Sequence, residues 1–349
     1  MTTPTVSVVI PVYNGVPWIA ATLDSLTAQT LTDWEAIVVD DCSPDDVAAL
    51  VAAWPDPRVR LIRMAANGGP VVARNRGVAD ARGRYVAGLD QDDLCRPDRF
   101  ARQVAYLDAH PDIALVATQA DQLVGTAVSP MRYAIRTTPA LVRWMTWIEN
   151  PLVWSSVMIR GSAARALDPF TRPDLLYAED FDLYHRVTAH GGIARLDTPL
   201  LLYRQHAGGI SKRFVATMEA SATRVLTERH AAVLGSSSAA VAQLLIRYNM
   251  ARLPVPDRAT LVMLGQALTT LHAAYLADHR PDAADTALIA AETARRWRAI
   301  CRTAVRYGTL TLADVTVASA PGILTIRPLA LATSAAIGAV RRVRQTFAA

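Results

Sequence analysis

The sequence predicts an α/β protein in which a mostly parallel sheet flanked by helices is followed by an α-helical C-terminal region. Three observations carry this expectation. Short β-branched runs alternate with helix-compatible segments over the first 110 residues, two of those runs end in aspartates, and beyond about residue 213 strand patterns give way to alanine-rich helical spacing. Alternation of strand and helix implies right-handed βαβ units, which lay parallel strands side by side and put helices on both faces.

The elements follow in order. "VSVVIPVY" (6–13) is a buried strand that starts the fold directly, with neither the basic start nor the long apolar core of a signal peptide. "PWIAATLDSLTAQT" has helical spacing and leads to the second strand, "EAIVVDD" (35–41). Ser43-Pro44-Asp45 is a helix start signal for "DDVAALVAAW". "VRLIRM" (59–64), a helix in "PVVARNRGVADA" and "YVAGLD" (85–90) complete the first half. A helix from Pro97 to His110 and a strand "IALVATQADQL" (113–123) come next. They are followed by "VWSSVMIRG" (153–161), the acid-rich "YAEDFDLYHRVTAHGG" (177–192) and "IARLDTPLLLYRQHAGGIS" (193–211). A boundary near residue 212 divides the α/β domain, 1–212, from a helical region, 213–349, interrupted at "GSSS", "PVPD" and "HRPD".

Composition narrows the class. With 349 residues, 52% hydrophobic and 19% charged, the chain buries a sizeable core and is not disordered. The net charge of +5 is carried almost wholly by arginine, Lys212 being the one lysine. That excess suits anionic small molecules or phospholipid head groups; no basic cluster interleaves with aromatics, so nucleic acid is set aside. Cys42, Cys95 and Cys301 are too scattered for a disulfide framework or a zinc knuckle, and a reducing, cytoplasmic setting is expected. No uninterrupted apolar run reaches transmembrane length; "ILTIRPLALATSAAIGAV" is broken by Arg327 and Pro328.

The chemistry concentrates in "GLDQDDLCRPDRF", where Asp90, Asp92 and Asp93 fall within four positions. Acids so close raise one another's pKa unless a cation or a donor compensates. The segment is either a polar turn capping the next helix or a divalent-cation site for a phosphorylated ligand. In parallel sheets ligands bind beyond the carboxyl ends of the strands, and Asp40-Asp41 and Asp90 end two strands on that same edge. The first turn, "YNGVPW", lacks the glycine pattern of dinucleotide sites, and no Walker A pattern is present. A phosphate could still be held in this fold if the carboxylates carry a divalent ion that clamps a diphosphate.

"VSVVIPVYNG", "WEAIVVDDCSPDD", "NGGPVVARNRGVADARGRYVAGLDQDD", "AEDFDLYHRV" and "YRQHAGGIS", five blocks in order over roughly residues 5–212, resemble family 2 glycosyltransferases with the GT-A fold. The resemblance implies residue roles. Pro11 and Tyr13 would line the nucleoside pocket, Asp41 would accept a hydrogen bond from the base, and Asn67 and Arg74 would approach ribose and diphosphate. Asp90 and Asp92 would form the D-x-D pair, with Asp92 the principal ligand of Mg²⁺ or Mn²⁺, while Asp93 supports the turn. Asp180 occupies the catalytic-base position, with Glu179 orienting it or starting the helix. His206 falls where some relatives place a metal or diphosphate contact, though loop packing is an equal reading. Trp154 walls the acceptor pocket or is a core tryptophan. His185 and His190 read as surface or core residues.

The implied activity is metal-dependent, inverting transfer of a single sugar from a nucleoside-diphosphate sugar, UDP favoured, to a glycan or lipid-linked hydroxyl. A single base opposite the leaving group gives one displacement. No Q-x-x-R-W motif of the family's polymerases is present. Two other readings stand beside it. A pyrophosphorylase needs a glycine-rich first loop and catalytic lysines, which this chain lacks; a non-catalytic scaffold of the same fold is opposed by the acids being intact. The helical region is assigned to acceptor, homo-oligomer or membrane contact. In its tail a helix from about Pro328 would turn Leu329, Leu331, Ile337 and Val340 to one side and place Arg341, Arg342 and Arg344 near anionic head groups, as a peripheral membrane contact.

Overall fold

The computed structural model describes residues 3–131, 136–206, 208–318, 323–324 and 331–346. The chain divides into two units, Met1–Arg143 with Pro151–Ser221, and Trp144–Asn150 with Ala222–Ala349.

The first unit is built on a sheet whose strands are β1 (Val6–Val12), β2 (Trp34–Asp40), β3 (Val59–Arg63), β4 (Tyr85–Gly88), β5 (Leu94–Cys95), β6 (Ile113–Val124), β7 (Ala127–Pro130), β8 (Met158–Arg160) and β9 (Gly192–Arg204). They run in the order β3-β2-β1-β4-β8-β6-β9-β5, with β7 beside β6. β3, β2, β1 and β4 are parallel neighbours, as the alternating pattern predicts. Beyond β4 the sheet is mixed, because β8 runs antiparallel to both β4 and β6, while β6 and β9 are parallel. β8 comes from "VWSSVMIRG", of which only a part extends. Ser156 Oγ donates to the Val153 carbonyl at 2.7 Å, and Ser155 Oγ accepts from the Asp90 amide at 3.0 Å. The local bond of Ser156 competes with the ladder; Trp154–Ser156 forms a turn of 3₁₀-helix and only Met158–Arg160 extends. The hairpin strand β7 and the helix Pro139–Thr146 carry no comparable pattern in the sequence.

Every residue of β1 and β2 is buried, the mark of strands covered on both faces. Side chains alternate faces with a period of two. Val6, Val8, Ile10 and Val12 accordingly pack with Ile19, Leu23, Val47 and Phe100, and Val9, Ile37 and Val39 with Ala73, Val78 and Leu183. The helices Ile19–Thr27, Val47–Ala52 and Arg99–Ala109 therefore cover one face, and Pro70–Ala79 and Glu179–Arg186 the other. Residue 212 lies in the short helix Ile210–Arg213.

The second unit is helical. Its long helices, Arg258–His279 and Ala283–Tyr307, start behind Asp257 and Asp282, whose carboxylates accept from the Thr260 and Asp285 amides at 2.8 Å. Trp144–Asn150 packs within this unit: Trp144 Nε1 donates to Thr293 Oγ1 at 2.9 Å, Glu149 pairs with Arg296, and Asn249 Nδ2 donates to the Ile148 carbonyl at 3.0 Å. One helix, Arg258–His279, is long and apolar enough to cross a membrane by length and composition, although polar side chains interrupt it. Leu261, Leu264, Leu268, Leu271 and Tyr275 are nonetheless buried in the unit. The tail helix spans Ala332–Thr346; Arg327, Pro328 and Leu329 lie outside the described residues. The expected stripe is divided, because Leu331 is buried whereas Val340 is 54% exposed.

Candidate active site

β1 has β2 on one side and β4 on the other, so the chain reverses its order there and opens a crevice at the carboxyl ends. Asp40 and Asp41 leave β2 at this edge, both buried. Asp40 Oδ1 accepts from the Ser43 amide at 2.9 Å, and its other oxygen stands 3.3 Å from Arg63. Asp41 grips a loop instead. Its two oxygens accept from the amides of Gly68 and Gly69, each at 2.8 Å, and Asn67 Nδ2 donates to its carbonyl at 3.1 Å. Gly69 has φ +82°, open to glycine at little cost, and Pro70 follows at the first helical position. Pro11 is buried inside β1 opposite Val39. The Tyr13 ring is 45% exposed, and its backbone is held from both sides by Gln91: Tyr13 N donates to Oε1 at 2.9 Å, and Nε2 donates to the Tyr13 carbonyl at 3.2 Å.

The three acids after β4 have different surroundings. Asp93 is 1% exposed; its Oδ1 accepts from the Arg204 amide at 2.8 Å, and Oδ2 has no partner among the described residues. Burial, then the charges of Asp92 and Asp90, push Asp93 well above the usual carboxylate range. Asp92 meets His206, whose Nε2 lies 2.7 Å from Oδ2, while Arg204 Nε donates to the Asp92 carbonyl at 2.7 Å. The His206 ring lies 4.8 Å from that of Trp18, and the Arg204 guanidinium 5.1 Å from the same indole. Asp90 is pushed up to about 6, chiefly by desolvation and against the pull of Arg74 at 3.8 Å, with Asp92 adding to the rise.

No group of three or more His, Cys, Asp or Glu side chains gathers with metal-holding geometry among the described residues. The Asp92–His206 pair still fits a divalent cation. One carboxylate oxygen and one imidazole nitrogen converge, each side chain about one-fifth exposed at 21% and 20%. A carboxylate beside an imidazole offers donors that suit Mn²⁺, and the carboxylate oxygen alone suits Mg²⁺.

On the other side of Asp90 a buried cation organises the site. Arg74 is 5% exposed, paired with Glu179 through Nη1, and stacked 4.2 Å over the Trp154 ring. Desolvation works against its charge, but Glu179, Asp90 and Asp180 outweigh it and raise its pKa. The guanidinium is thus turned into protein. Trp154 presses against β4, where a Cβ at Gly88 would stand 2.5 Å from the indole, and it meets Phe170 edge-on. Asp180 sits in the first turn of Glu179–Arg186; its Oδ1 accepts from the Phe181 amide at 2.7 Å, and Tyr184 Oη donates to Oδ2 at 3.4 Å. A carboxylate at that position is favoured by the helix dipole. His185 and His190 lie on and just beyond this helix.

Asp90, Arg74, Glu179, Trp154 and Asp180 therefore form one cluster, Asp92 with His206 a second beside it, and Asp41 with Asn67–Gly69 a third at β2. Sequence reading alone did not assign Gln91, Ser155, Arg204 and Trp18 to the site. Gln91 sits between the acids at the x of D-x-D, and Arg204 lies two residues before His206, which were the available signals. A shallow depression of about 240 Å³ lies away from these acids, at the amino ends of β1 to β3, lined by Pro4, Thr32, Trp34 and Arg58.

With this geometry in place, similarity to known proteins can be read. Residues 7–167 match the sequence model of Glycosyl transferase family 2. The chain is 50% identical over 106 residues to the succinoglycan biosynthesis protein ExoO of Rhizobium meliloti, a match that covers 30% of this chain and 30% of that relative's length. The fold is shared with the S. aureus protein TarS, crystallised with UDP, at a TM-score of 0.53 and 19% identity over 87% of this chain and 91% of that one. It is shared also with the mannosyltransferase PcManGT of Pyrobaculum calidifontis in complex with GDP-Man and Mn²⁺, at 0.51 and 20% over 87% of each. The sheet with flanking helices is thus of the GT-A type.

Proposed function

We propose that this chain, a glycosyl transferase family 2 member by its residues 7–167, moves one sugar from a nucleoside-diphosphate sugar to a hydroxyl of a glycan or lipid-linked acceptor, inverting the anomeric carbon. The observation that carries the reading is the division of labour among the acids. One, Asp92, is paired with an imidazole at the sheet edge; another, Asp180, is held at a helix start on the far side of a buried arginine. ExoO's role in succinoglycan biosynthesis and the nucleotides bound by TarS and PcManGT support a polysaccharide-building, nucleotide-sugar enzyme.

In this reading Tyr13 and Pro11 border the nucleoside, and Asp41 offers its remaining lone pairs to the base while shaping the Asn67–Gly69 loop. Arg74 keeps positive charge behind Asp90 and the diphosphate. Asp92 and His206 would hold Mg²⁺ or Mn²⁺, which when bound supplies positive charge to the leaving diphosphate. Asp180 takes the acceptor hydroxyl proton as that oxygen forms its bond to the anomeric carbon and the carbon–phosphate-oxygen bond breaks. One displacement inverts the centre. UDP is the favoured leaving group, and the cytoplasmic face of the cell membrane the favoured setting.

A panel of nucleotide sugars, followed by thermal shift and by product analysis with Mn²⁺, tests the reading. Asp92→Asn should abolish metal-dependent turnover with the fold intact. Asp180→Asn should lower turnover roughly 10²- to 10⁴-fold with donor affinity nearly unchanged. Turnover of Asp92→Asn within about twofold of the parent at saturating Mn²⁺ would remove the D-x-D assignment, and loss of donor binding in Asp180→Asn would move the base elsewhere.

A further inference from the structure

The chain's excess positive charge is not spread over it. Residues 1–292 hold 27 basic and 30 acidic residues, whereas residues 293–349 hold nine arginines and Asp314 as their one acid. We propose that the helical unit carries an anionic-lipid docking surface formed by Arg298, Arg302 and Arg306 together with Tyr307, Arg341 and Val340. This goes beyond the transfer chemistry and does not depend on it.

The helix Ala283–Tyr307 sets the geometry. At 3.6 residues per turn, positions 298, 302 and 306 recur on one side, and the opposite side buries Ile289, Trp297, Ile300 and Ala304. Two neighbouring arginines are spent internally: Arg295 and Arg296 pair with Glu292, and Arg296 also with Glu149. Arg302 and Arg306 are exposed and Arg298 is half-buried, and among the described residues none of the three has a carboxylate within ion-pair distance. Their charge is uncompensated.

The helix Ala332–Thr346 extends the same surface. It lies against the C-terminal end of Ala283–Tyr307 so closely that a Cβ at Gly338 would stand 1.9 Å from the Val305 carbonyl. Arg341 stacks 4.7 Å over the Tyr307 ring. Tyr307 is 49% and Val340 54% exposed, each adjoining an arginine in sequence. Arginine heads beside exposed apolar side chains are the pattern of an interfacial surface, in which the stems and apolar groups enter the acyl boundary and the guanidinium groups meet phosphate. Aliphatic Val340 has no such layer to enter on a nucleic acid, so a lipid surface is the better fit.

Flotation of the full chain with mixed phosphatidylcholine–phosphatidylglycerol vesicles, against phosphatidylcholine alone, tests this. Binding is expected only to the anionic vesicles and is expected to weaken with salt. Removing one near-surface cationic side chain should cost about fivefold in partitioning, so Arg302→Gln loses about fivefold and the triple variant Arg298→Gln/Arg302→Gln/Arg306→Gln about 10²-fold. Arg102→Gln, an exposed arginine of the first unit, should bind as the parent does. Val340→Ser should weaken binding at unchanged charge. The proposal is overturned if the parent does not float with anionic vesicles at low salt, if Arg302→Gln and the triple variant bind like the parent, or if the surface binds an oligonucleotide and no vesicle.

Discussion

At the scale of single residues, the acids of the candidate site were legible in the sequence, and the groups that hold them in place were not. Asp90, Asp92 and Asp180 stand in short patterns, whereas Arg74 and Glu179 are 105 positions apart and meet only through the fold. The sequence allows Trp154 as pocket wall or as core; it is buried, and Arg74 covers its face. The pair Arg74–Glu179 has a measurable consequence. Both side chains are about one-twentieth exposed, and breaking a buried ion pair leaves a charge without its counter-ion. Glu179→Gln should therefore lower the stability of the first unit by about 2–4 kcal/mol, less than a full loss because Asp90 stands near the guanidinium. Urea denaturation followed by Trp fluorescence measures it. A change below about 0.5 kcal/mol would mean that the pair contributes only geometry.

At the scale of elements, β1 to β4 and their helices were legible because continuous apolar runs alternate with helix-compatible spacing. The mixed half was not, because a strand of three residues between Ser156 and Gly161 has no period to read. Nor does the sequence show that Asp41 is a structural clamp on the loop entering Pro70–Ala79. An acid that only read a nucleobase would leave the ligand-free protein unaffected when removed. Here two amide hydrogen bonds to a carboxylate would be lost, and bonds to charged groups contribute about 1.5–3 kcal/mol each before water replaces them. Asp41→Ala is expected to destabilise the nucleotide-free protein by about 2–3 kcal/mol, with Asp41→Asn, which keeps one acceptor, near half of that. Thermal unfolding without nucleotide decides it: an unchanged melting temperature for Asp41→Ala would assign Asp41 to the ligand alone.

At the scale of the whole molecule, the two units hold titrating groups of opposite sign, so acid should act on them in opposite directions. In the helical unit His230 is fully buried, with Nε2 at 2.8 Å from the Trp147 carbonyl. Desolvation pushes it down to about 4, the Trp147 bond opposing and Arg229 assisting, and burial also lowers His272. Unfolded histidine titrates near 6.5. As pH falls from about 6.5 towards 4 the unfolded chain takes up a proton that the native unit refuses, so stability present above 6.5 is lost, by about 3 kcal/mol from His230 alone. In the first unit Asp90, raised to about 6, and Asp93, raised well above its usual range, bind protons before the unfolded chain does. There acidification below about 6 relieves the crowded carboxylates and adds stability until the unfolded acids protonate near 4. Amide hydrogen exchange in metal-free buffer at about pH 7 and about pH 5, corrected for intrinsic rates, separates the two. Protection should fall along the helices Arg258–His279 and Ala283–Tyr307 and rise in β1 and β4. His230→Gln should remove most of the fall in the helical unit and leave the first unit's response in place. A change of the same sign in both units would show that neither burial controls the response to acid.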